Sequence, residues 1–258
     1  MTGAREPGSH SLPAERTWSI VAGATAETAR PIGTLHLVDL SAEVAKVRAL
    51  NTLLNEQEQA RAARFHFEND RARYIIGRAR LRQYLARTLA IGPERICFEY
   101  GSQRKPRLST VHESGLQFNL SHSGRWGLIG LTQARDIGVD IEEKVSLSDM
   151  DDLAARVFSE HEHAIYRAAA TDLRAATFYN CWTRKEAFVK AVGDGLTFPL
   201  RSFDVSLEPS GPARLLRIEG PPAACRDWLL AGFDPAPDFA AAVVVSGQEP
   251  FAAVVASD

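Results

Sequence analysis

The sequence has few cysteines, little net charge and no long apolar run. Its three cysteines, Cys97, Cys181 and Cys225, show no CxxC spacing. This pattern is typical of free thiols in a reducing compartment and argues against a disulfide framework or a zinc site. A formal net charge of −2 provides no global attraction to nucleic acid or to an anionic membrane. No apolar run approaches the roughly 18 residues of a membrane span. We therefore expect a cytoplasmic protein that binds neither nucleic acid nor membrane.

The chain is long enough to bury a full hydrophobic core, since it has 258 residues of which 45% are hydrophobic. Its first thirty residues mix Pro, Gly and Ser with charges of both signs. The apolar piece WSIVAGA within them is too short for a secretory segment. We expect residues 1–30 to form a loosely ordered leader.

Helical and strand-like patterns come in blocks along the chain. Helical periodicity covers about residues 41–90 and 149–192, and each helical block is followed by a run of short strand candidates. Strict alternation of strands and helices, which would indicate a parallel doubly wound sheet, is not seen. The order of the blocks predicts an α+β fold.

The blocks also repeat. NEQEQA at residues 55–60 resembles SEHEHA at residues 159–164, and in both a capping residue is followed by acids. Ser159 and Glu162 have the spacing of a capping box. A long helix and a strand follow each copy at nearly the same offset. Two amphipathic helices can resemble each other by chance, but the ordered match favours a duplication. We predict two pseudosymmetric lobes, residues 31–135 and 136–258, each a small mostly antiparallel sheet packed with a long helix, with a ligand cleft between them.

The run IGVDIEEK, residues 137–144, contains two acids in a strand-like pattern. Val139 and Ile141 point to one face, whereas Asp140 and Glu142 point to the other, roughly 6–7 Å apart. Like charges on one face of a strand repel each other. Either open water or a bound cation must offset this repulsion.

A third carboxylate is present in the helical segment CWTRKEAFVKAV. Glu186 and Lys190 are four residues apart and share a helix face. Taken alone they indicate a surface salt bridge worth a few tenths of a kcal/mol. Apolar residues crowd this helix and leave little solvated face for such a pair. Asp140, Glu142 and Glu186 therefore indicate a Mg²⁺ site that leaves positions for water and a substrate phosphate.

Basic and hydroxyl residues elsewhere are suited to bind a phosphate. FNLSHSGRWG offers Ser121 and His122 at a strand end, and RKPRL adds Lys105 beside a rigid proline. His122 is equally well explained as a hydrogen-bonded turn histidine. The helix RAARFHFENDRARYIIGRARLRQ adds several arginines, of which we expect one or two to contact a ligand.

Together these motifs resemble the 4′-phosphopantetheinyl transferases. GVDIE followed by WTRKEAFVKA is similar to the family signature of G-[IV]-D-[IL]-E and W-x-x-K-E-[AS]-x-x-K, and FNLSHSGRW and KPRL are similar to two further segments. RFHFENDRARYIIGRARLR resembles the arginine-bearing helix of the larger, Sfp-type branch. The resemblance extends over about residues 54–207.

The resemblance implies a monomer with coenzyme A in the cleft and a function of the holo-[acyl-carrier-protein] synthase type. By position Asp140, Glu142 and Glu186 match Mg²⁺ ligands. Five residues match contacts to the nucleotide phosphates: Lys105, Ser121, His122, Arg61 and Arg73. Glu58 stands where some relatives have a basic residue.

The implied reaction transfers 4′-phosphopantetheine from coenzyme A to a serine of an apo acyl or peptidyl carrier protein. Glu186 is the candidate base, acting directly or through water, and Lys190 is expected to hold Glu186 and to stabilise the departing phosphate. Two alternatives are a Mg²⁺-dependent phosphohydrolase and a non-catalytic coenzyme A-binding module.

Overall fold

A computed structural model gives the structure of most of the chain. The described residues are 18–22, 31–41, 44–101, 105–193, 198–209, 211–220, 225–249 and 251–257. Within these ranges the strands are β1 (Trp18–Ala22), β2 (Pro31–Asp39), β3 (Phe98–Tyr100), β4 (Pro106–Leu108), β5 (Leu116–Ser123), β6 (Trp126–Gln133), β7 (Ile137–Glu143), β8 (Phe203–Val205), β9 (Leu215–Ile218), β10 (Trp228–Phe233), β11 (Phe239–Ser246) and β12 (Phe251–Ser257).

The helices lie in two blocks between the strands, as the sequence predicts. They are α1 (Val44–Asn51), α2 (Glu56–Ala62), α3 (Glu68–Leu89), α4 (Met150–Val157), α5 (Glu160–Ala168) and α6 (Arg174–Val192). No helix in the described ranges is long and apolar enough to cross a membrane. The predicted α+β fold class is confirmed.

Two larger sheets and two helices form the layers of the molecule. One sheet has the order β1-β12-β2-β6-β5 and the other the order β10-β11-β7, with all pairs antiparallel except β12 with β2. In β11 the side chains of Ala241, Val243 and Val245 join a core between the sheets, whereas the intervening residues pack toward α6. Because both faces of this strand are buried, its sequence is continuously apolar rather than alternating.

The two ends of the described chain pair with each other. β1 lies antiparallel to β12, and β12 lies parallel to β2. The expectation of a loosely ordered leader is therefore wrong for Trp18–Ala22, and residues 1–17 and 23–30 lie outside the described residues. The predicted lobe boundaries assign Phe251–Ser257 to the C-terminal lobe, but this strand pairs within the sheet of the N-terminal lobe. An apolar strand pattern does not specify which sheet edge the strand joins.

The internal repeat is visible in two equivalent buried ion pairs. Glu58 and Glu162 each complete a capping box at the start of a short helix. Glu58 also accepts a hydrogen bond from Arg82 of α3 at 2.7 Å, and Glu162 pairs with Lys185 of α6 at 2.7 Å.

Each of the two basic residues then donates hydrogen bonds to two main-chain carbonyls after its own helix. Arg82 bonds the carbonyls of Pro93 and Ile96, and Lys185 bonds those of Leu200 and Phe203. In each lobe, therefore, the capping acid pairs with a basic residue of the long helix, and that basic residue is bonded to the segment after the helix. Because Glu58 takes part in this linkage, position 58 carries an acid where some relatives have a basic residue.

Candidate active site between β5, β7 and α6

β7 directs its two acids away from the core between the sheets. Ile137, Val139 and Ile141 are buried in that core. Because strand side chains alternate, Asp140 and Glu142 lie on the opposite face, which packs against α6. Gly138 permits this contact, since a Cβ there would overlap the main chain of Ala187 and Ala191. The glycine of the GVDIE motif therefore lets α6 lie directly against β7.

Asp140 is almost completely buried, with 2% of its surface exposed. Its Oδ1 accepts hydrogen bonds from Ser121 Oγ at 2.8 Å and from Lys190 Nζ at 2.5 Å. Its Oδ2 is buried and has no hydrogen-bond partner among the described residues. Burial raises the pKa of the Asp140 carboxyl, and the Lys190 ammonium and the hydrogen bonds oppose this effect. One oxygen is thus left available to a further cation.

Glu142 lies next along the same face and is half-buried. Its Oε2 accepts a hydrogen bond from Ser123 Oγ at 2.8 Å. Burial raises the pKa of the Glu142 carboxyl, and the negative charge of Asp140 raises it further. The repulsion expected from the sequence is therefore present in the folded chain.

α6 supplies Glu186 and Lys190 to the same site, but the two do not form the predicted ion pair. The Lys190 ammonium contacts Asp140 and donates to Ser121 Oγ at 2.9 Å. Its long side chain reaches β7, where the buried carboxylate attracts it more strongly than an exposed one would. Burial and the charge of Asp140 raise the pKa of the Glu186 carboxyl. The expectation that Lys190 holds Glu186 is replaced by a contact between Lys190 and Asp140.

These side chains line one cleft of about 380 Å³. Trp182 of α6 contributes an apolar wall. The other lining side chains include six residues predicted from the sequence: Ser121, His122, Asp140, Glu142, Glu186 and Lys190. The structure thus places hydroxyl, imidazole, carboxylate and ammonium groups from three elements around one open space.

His122 lies at the end of β5 and is exposed. Loss of hydration near the surrounding chain lowers the pKa of its imidazole, and the positive charges of Lys190 and Arg73 lower it further. An anion that enters the cleft beside the imidazole would raise that pKa and favour the protonated form.

The other predicted phosphate contacts lie in different settings. Lys105 donates a hydrogen bond to the main-chain carbonyl of Lys190, and burial lowers the pKa of its ammonium. Arg73 pairs with Asp70 at 3.6 Å and is close enough to influence His122. Arg61 lies over the ring of Tyr74 at 5.4 Å from the ring centre. None of these three is among the residues that line the cleft.

The acidic residues of the cleft fit a hard cation that is also held by water and substrate. Carboxylate oxygens are the ligands that Mg²⁺ prefers, and the unpartnered Oδ2 of Asp140 is one such donor. Across the described ranges no three His, Cys, Asp or Glu side chains are gathered closely enough to complete a metal site.

Sequence reasoning missed three residues of this region. Ser123 bonds Glu142, Trp182 walls the cleft, and Asn119 accepts a hydrogen bond from the Val139 main chain at 2.9 Å. Asn119, Ser121 and Ser123 alternate along β5. Polar residues at every second position of a strand are the signal that could have identified them.

Comparison with known proteins identifies the family. A model described as 4'-phosphopantetheinyl transferase superfamily matches residues 136–244, and one described as 4'-phosphopantetheinyl transferase, N-terminal, matches residues 41–133. The chain is 36% identical over 216 residues to 4'-phosphopantetheinyl transferase HetI of Nostoc sp., which covers 83% of this chain and 88% of the relative.

Two further similarities are more limited in extent. The chain is 33% identical over 163 residues to 4'-phosphopantetheinyl transferase Sfp of Bacillus subtilis, covering 62% of this chain and 69% of the relative. A holo-(acyl-carrier-protein) synthase structure from Bacillus anthracis, in complex with CoA (3',5'-ADP), has a TM-score of 0.37 and 23% identity, and the match covers 44% of this chain and 96% of that chain. By its match to both family models and to relatives over two thirds or more of their length, the chain belongs to the larger, Sfp-type branch of the 4′-phosphopantetheinyl transferase superfamily.

Proposed function

We propose that this protein transfers the 4′-phosphopantetheine group from coenzyme A to a serine of an apo carrier protein and releases 3′,5′-ADP. The observation that carries the proposal is the cleft in which Asp140, Glu142 and Glu186 lie beside Lys190 and His122. Family membership supports transfer over the phosphohydrolase and the non-catalytic binding module, because the curated relatives are transferases.

Asp140, Glu142 and Glu186 would hold the Mg²⁺. When bound, the ion neutralises charge on the pyrophosphate oxygens, which is most of what phosphoryl transfer requires. The Oδ2 of Asp140, which has no partner among the described residues, supports this assignment. The position of Glu142 and Glu186 in the same cleft as Asp140 supports it too.

Glu186 is the proposed general base. The serine oxygen of the carrier attacks the phosphorus nearest the pantetheine and gives its proton to Glu186, directly or through water. The bond from that phosphorus to the bridging oxygen breaks, and the electron pair leaves with 3′,5′-ADP. A raised pKa makes the Glu186 carboxylate a better proton acceptor than an exposed one. Lys190 stabilises the departing phosphate while it keeps Asp140 in place.

His122, Ser121, Lys105, Arg73 and Arg61 are the proposed contacts to the nucleotide part of coenzyme A. His122 and Ser121 line the cleft and support the assignment directly. Arg73 lies near His122, and an anion between them would satisfy both groups. Lys105 would have to exchange its bond to the Lys190 carbonyl for a phosphate oxygen.

The natural partner is proposed to be an acyl or peptidyl carrier protein, as in polyketide or nonribosomal peptide synthesis. We further propose that the protein acts as a cytoplasmic monomer. Cell fractionation and light scattering would test the last two statements.

The decisive experiment incubates the protein with coenzyme A, Mg²⁺ and an apo carrier protein, and then weighs the carrier. A transferase adds one phosphopantetheine to the carrier, and a variant of the carrier that lacks the serine stays unmodified. Cleavage of coenzyme A without a carrier would instead show a phosphohydrolase. Binding of coenzyme A with neither reaction would show a binding module.

A further inference from the structure

Two sheet edges face each other beside the cleft without forming a backbone ladder. β5 is the last strand of one sheet, and β7 is the last strand of the other. These two described strands pack together but are not paired. The main-chain N–H groups on the open edge of β7 must therefore find other partners, because a buried N–H without one is costly.

Side chains of β5 supply those partners. Asn119 Oδ1 accepts from the Val139 N–H at 2.9 Å, and Ser123 Oγ accepts from the Glu143 N–H at 3.1 Å. Ser121 lies between them and bonds Asp140. We call Asn119, Ser121 and Ser123 the edge clamp. Its hydrogen bonds join the edges of the two sheets.

Ser123 connects the backbone of β7 to a carboxylate of the site. Its oxygen accepts from the Glu143 N–H, and its hydroxyl donates to Glu142 Oε2 at 2.8 Å. A serine hydroxyl has one proton to donate. The bond to Glu142 uses this proton, so the orientation of the carboxylate is tied to the position of the strand.

We propose that Ser123 is a positioning residue of the transferase that orients Glu142 for the cation and pyrophosphate, with Asn119 fixing the β7 main chain beside Asp140. This inference rests on the proposed function. The alternative is that the edge clamp only holds the two sheets together. Both roles predict a loss of stability when Ser123 is changed, but only positioning predicts an altered response to Mg²⁺.

Ser109 offers a matched control. Its hydroxyl donates to Glu99 at 2.7 Å and its oxygen accepts from the Val111 N–H at 3.4 Å, so it has the same kinds of partner as Ser123. It does not line the cleft. Ser109→Ala therefore removes comparable bonds without reaching the carboxylates.

The test compares wild type with Ser123→Ala, Ser123→Thr and Ser109→Ala. For each we measure the Mg²⁺ dependence of carrier modification and, separately, the rise in melting temperature on addition of Mg²⁺ and coenzyme A. For Ser123→Ala we expect the half-saturating Mg²⁺ concentration to rise about 10–100-fold, as on loss of other partners that orient metal ligands. The Mg²⁺-dependent rise in melting temperature should shrink in parallel. Ser123→Thr, which keeps the hydroxyl, should restore both, and Ser109→Ala should change neither.

A double variant makes the test independent of any general loss of stability. In a Glu142→Ala background, Ser123→Ala should have little further effect on the Mg²⁺ dependence, because the side chain that Ser123 orients is already absent. Equal effects in the two backgrounds, or the same shift in Ser109→Ala, would overturn the positioning role. If wild type does not modify a carrier but still responds to Mg²⁺, the proposed function fails and the melting measurement decides the role of Ser123. A wild type that shows neither response overturns both.

Discussion

The ammonium of Lys190 lies 2.5 Å from Oδ1 of Asp140, a residue on another element and 50 positions away in the chain. Asp140 is buried and Lys190 is partly exposed, so the pair lies at the boundary between core and cleft. The contact joins α6 to β7 at the point where the family signature places its acids. Lys190 therefore pairs with Asp140 instead of with Glu186 on its own helix face, although its charge still acts to lower the pKa of Glu186.

Replacing Lys190 should destabilise the fold through Asp140. For Lys190→Met we expect the free energy of unfolding at pH 7 to fall by about 1.5–3 kcal/mol, the usual contribution of a hydrogen bond to a charged group. The pKa of Asp140, already raised by burial, should rise further without the ammonium. A carboxyl with a raised folded pKa favours the fold at acid pH and loses that contribution as pH rises through the folded value. Urea unfolding at pH 7 and pH 4 should therefore show a smaller deficit at pH 4, and an equal deficit would contradict this account.

Glu186→Gln should separate binding from transfer. The amide keeps a coordinating oxygen but cannot accept the serine proton. Coenzyme A binding, measured by calorimetry at saturating Mg²⁺, should persist, whereas carrier modification should fall by about 10²–10⁴-fold, the usual share of general base catalysis. Loss of binding as well would make Glu186 chiefly a metal ligand. If the Glu186→Gln variant binds coenzyme A and modifies the carrier normally, Glu186 has no role in the reaction.

His122 should make coenzyme A binding depend on pH. In the free protein the pKa of the imidazole is lowered by loss of hydration and by the positive charges of Lys190 and Arg73. A phosphate in contact with it should raise that pKa, so binding takes up a proton between the free and bound pKa values and strengthens as the pH falls through that range. Calorimetry in two buffers of different ionisation enthalpy measures the proton uptake. His122→Ala should abolish it, and His161→Ala, at an exposed position, should not.

Gly138→Ala tests the close approach of α6 to β7. The added Cβ would overlap the main chain of Ala187 and Ala191, so the helix must move away from Asp140. We expect a loss of about 1–3 kcal/mol in the free energy of unfolding, as for other overpacked sites, together with reduced transfer. Gly127→Ala is the matched control, because a Cβ there meets only the side chain of Leu40, at distances of 3.4–3.6 Å. Similar melting temperatures for the two variants would refute the argument.

Lys185→Met should test the buried ion pair of the C-terminal lobe. Glu162 would lose, in a fully buried position, the ammonium that now pairs with it at 2.7 Å. Removing one partner of such a buried pair lowers the free energy of unfolding by about 3–5 kcal/mol. Lys144→Met, which breaks an ion pair with the exposed Asp234, should cost less than about 1 kcal/mol. Denaturant unfolding of the two variants checks the contrast.

Local patterns in the sequence were sufficient for the elements and for much of the cleft. Alternation in IGVDIE predicted a strand, and β7 runs from Ile137 to Glu143 with both acids on the face opposite the core. The spacing of Ser159 and Glu162 predicted a capping box, which is present. These features depend on contacts between residues a few positions apart, so the order of residues alone determines them.

The partners of the long side chains were decided by the tertiary structure. The helix spacing favoured Glu186 as the partner of Lys190, yet the ammonium contacts Asp140. Ser123 became part of the site only because the edge of β5 lies against the edge of β7. A buried carboxylate in a medium of low dielectric attracts a cation more strongly than a solvated neighbour does. Which carboxylate is buried depends on how the sheets and helices pack. The periodicity of a single element does not specify this packing.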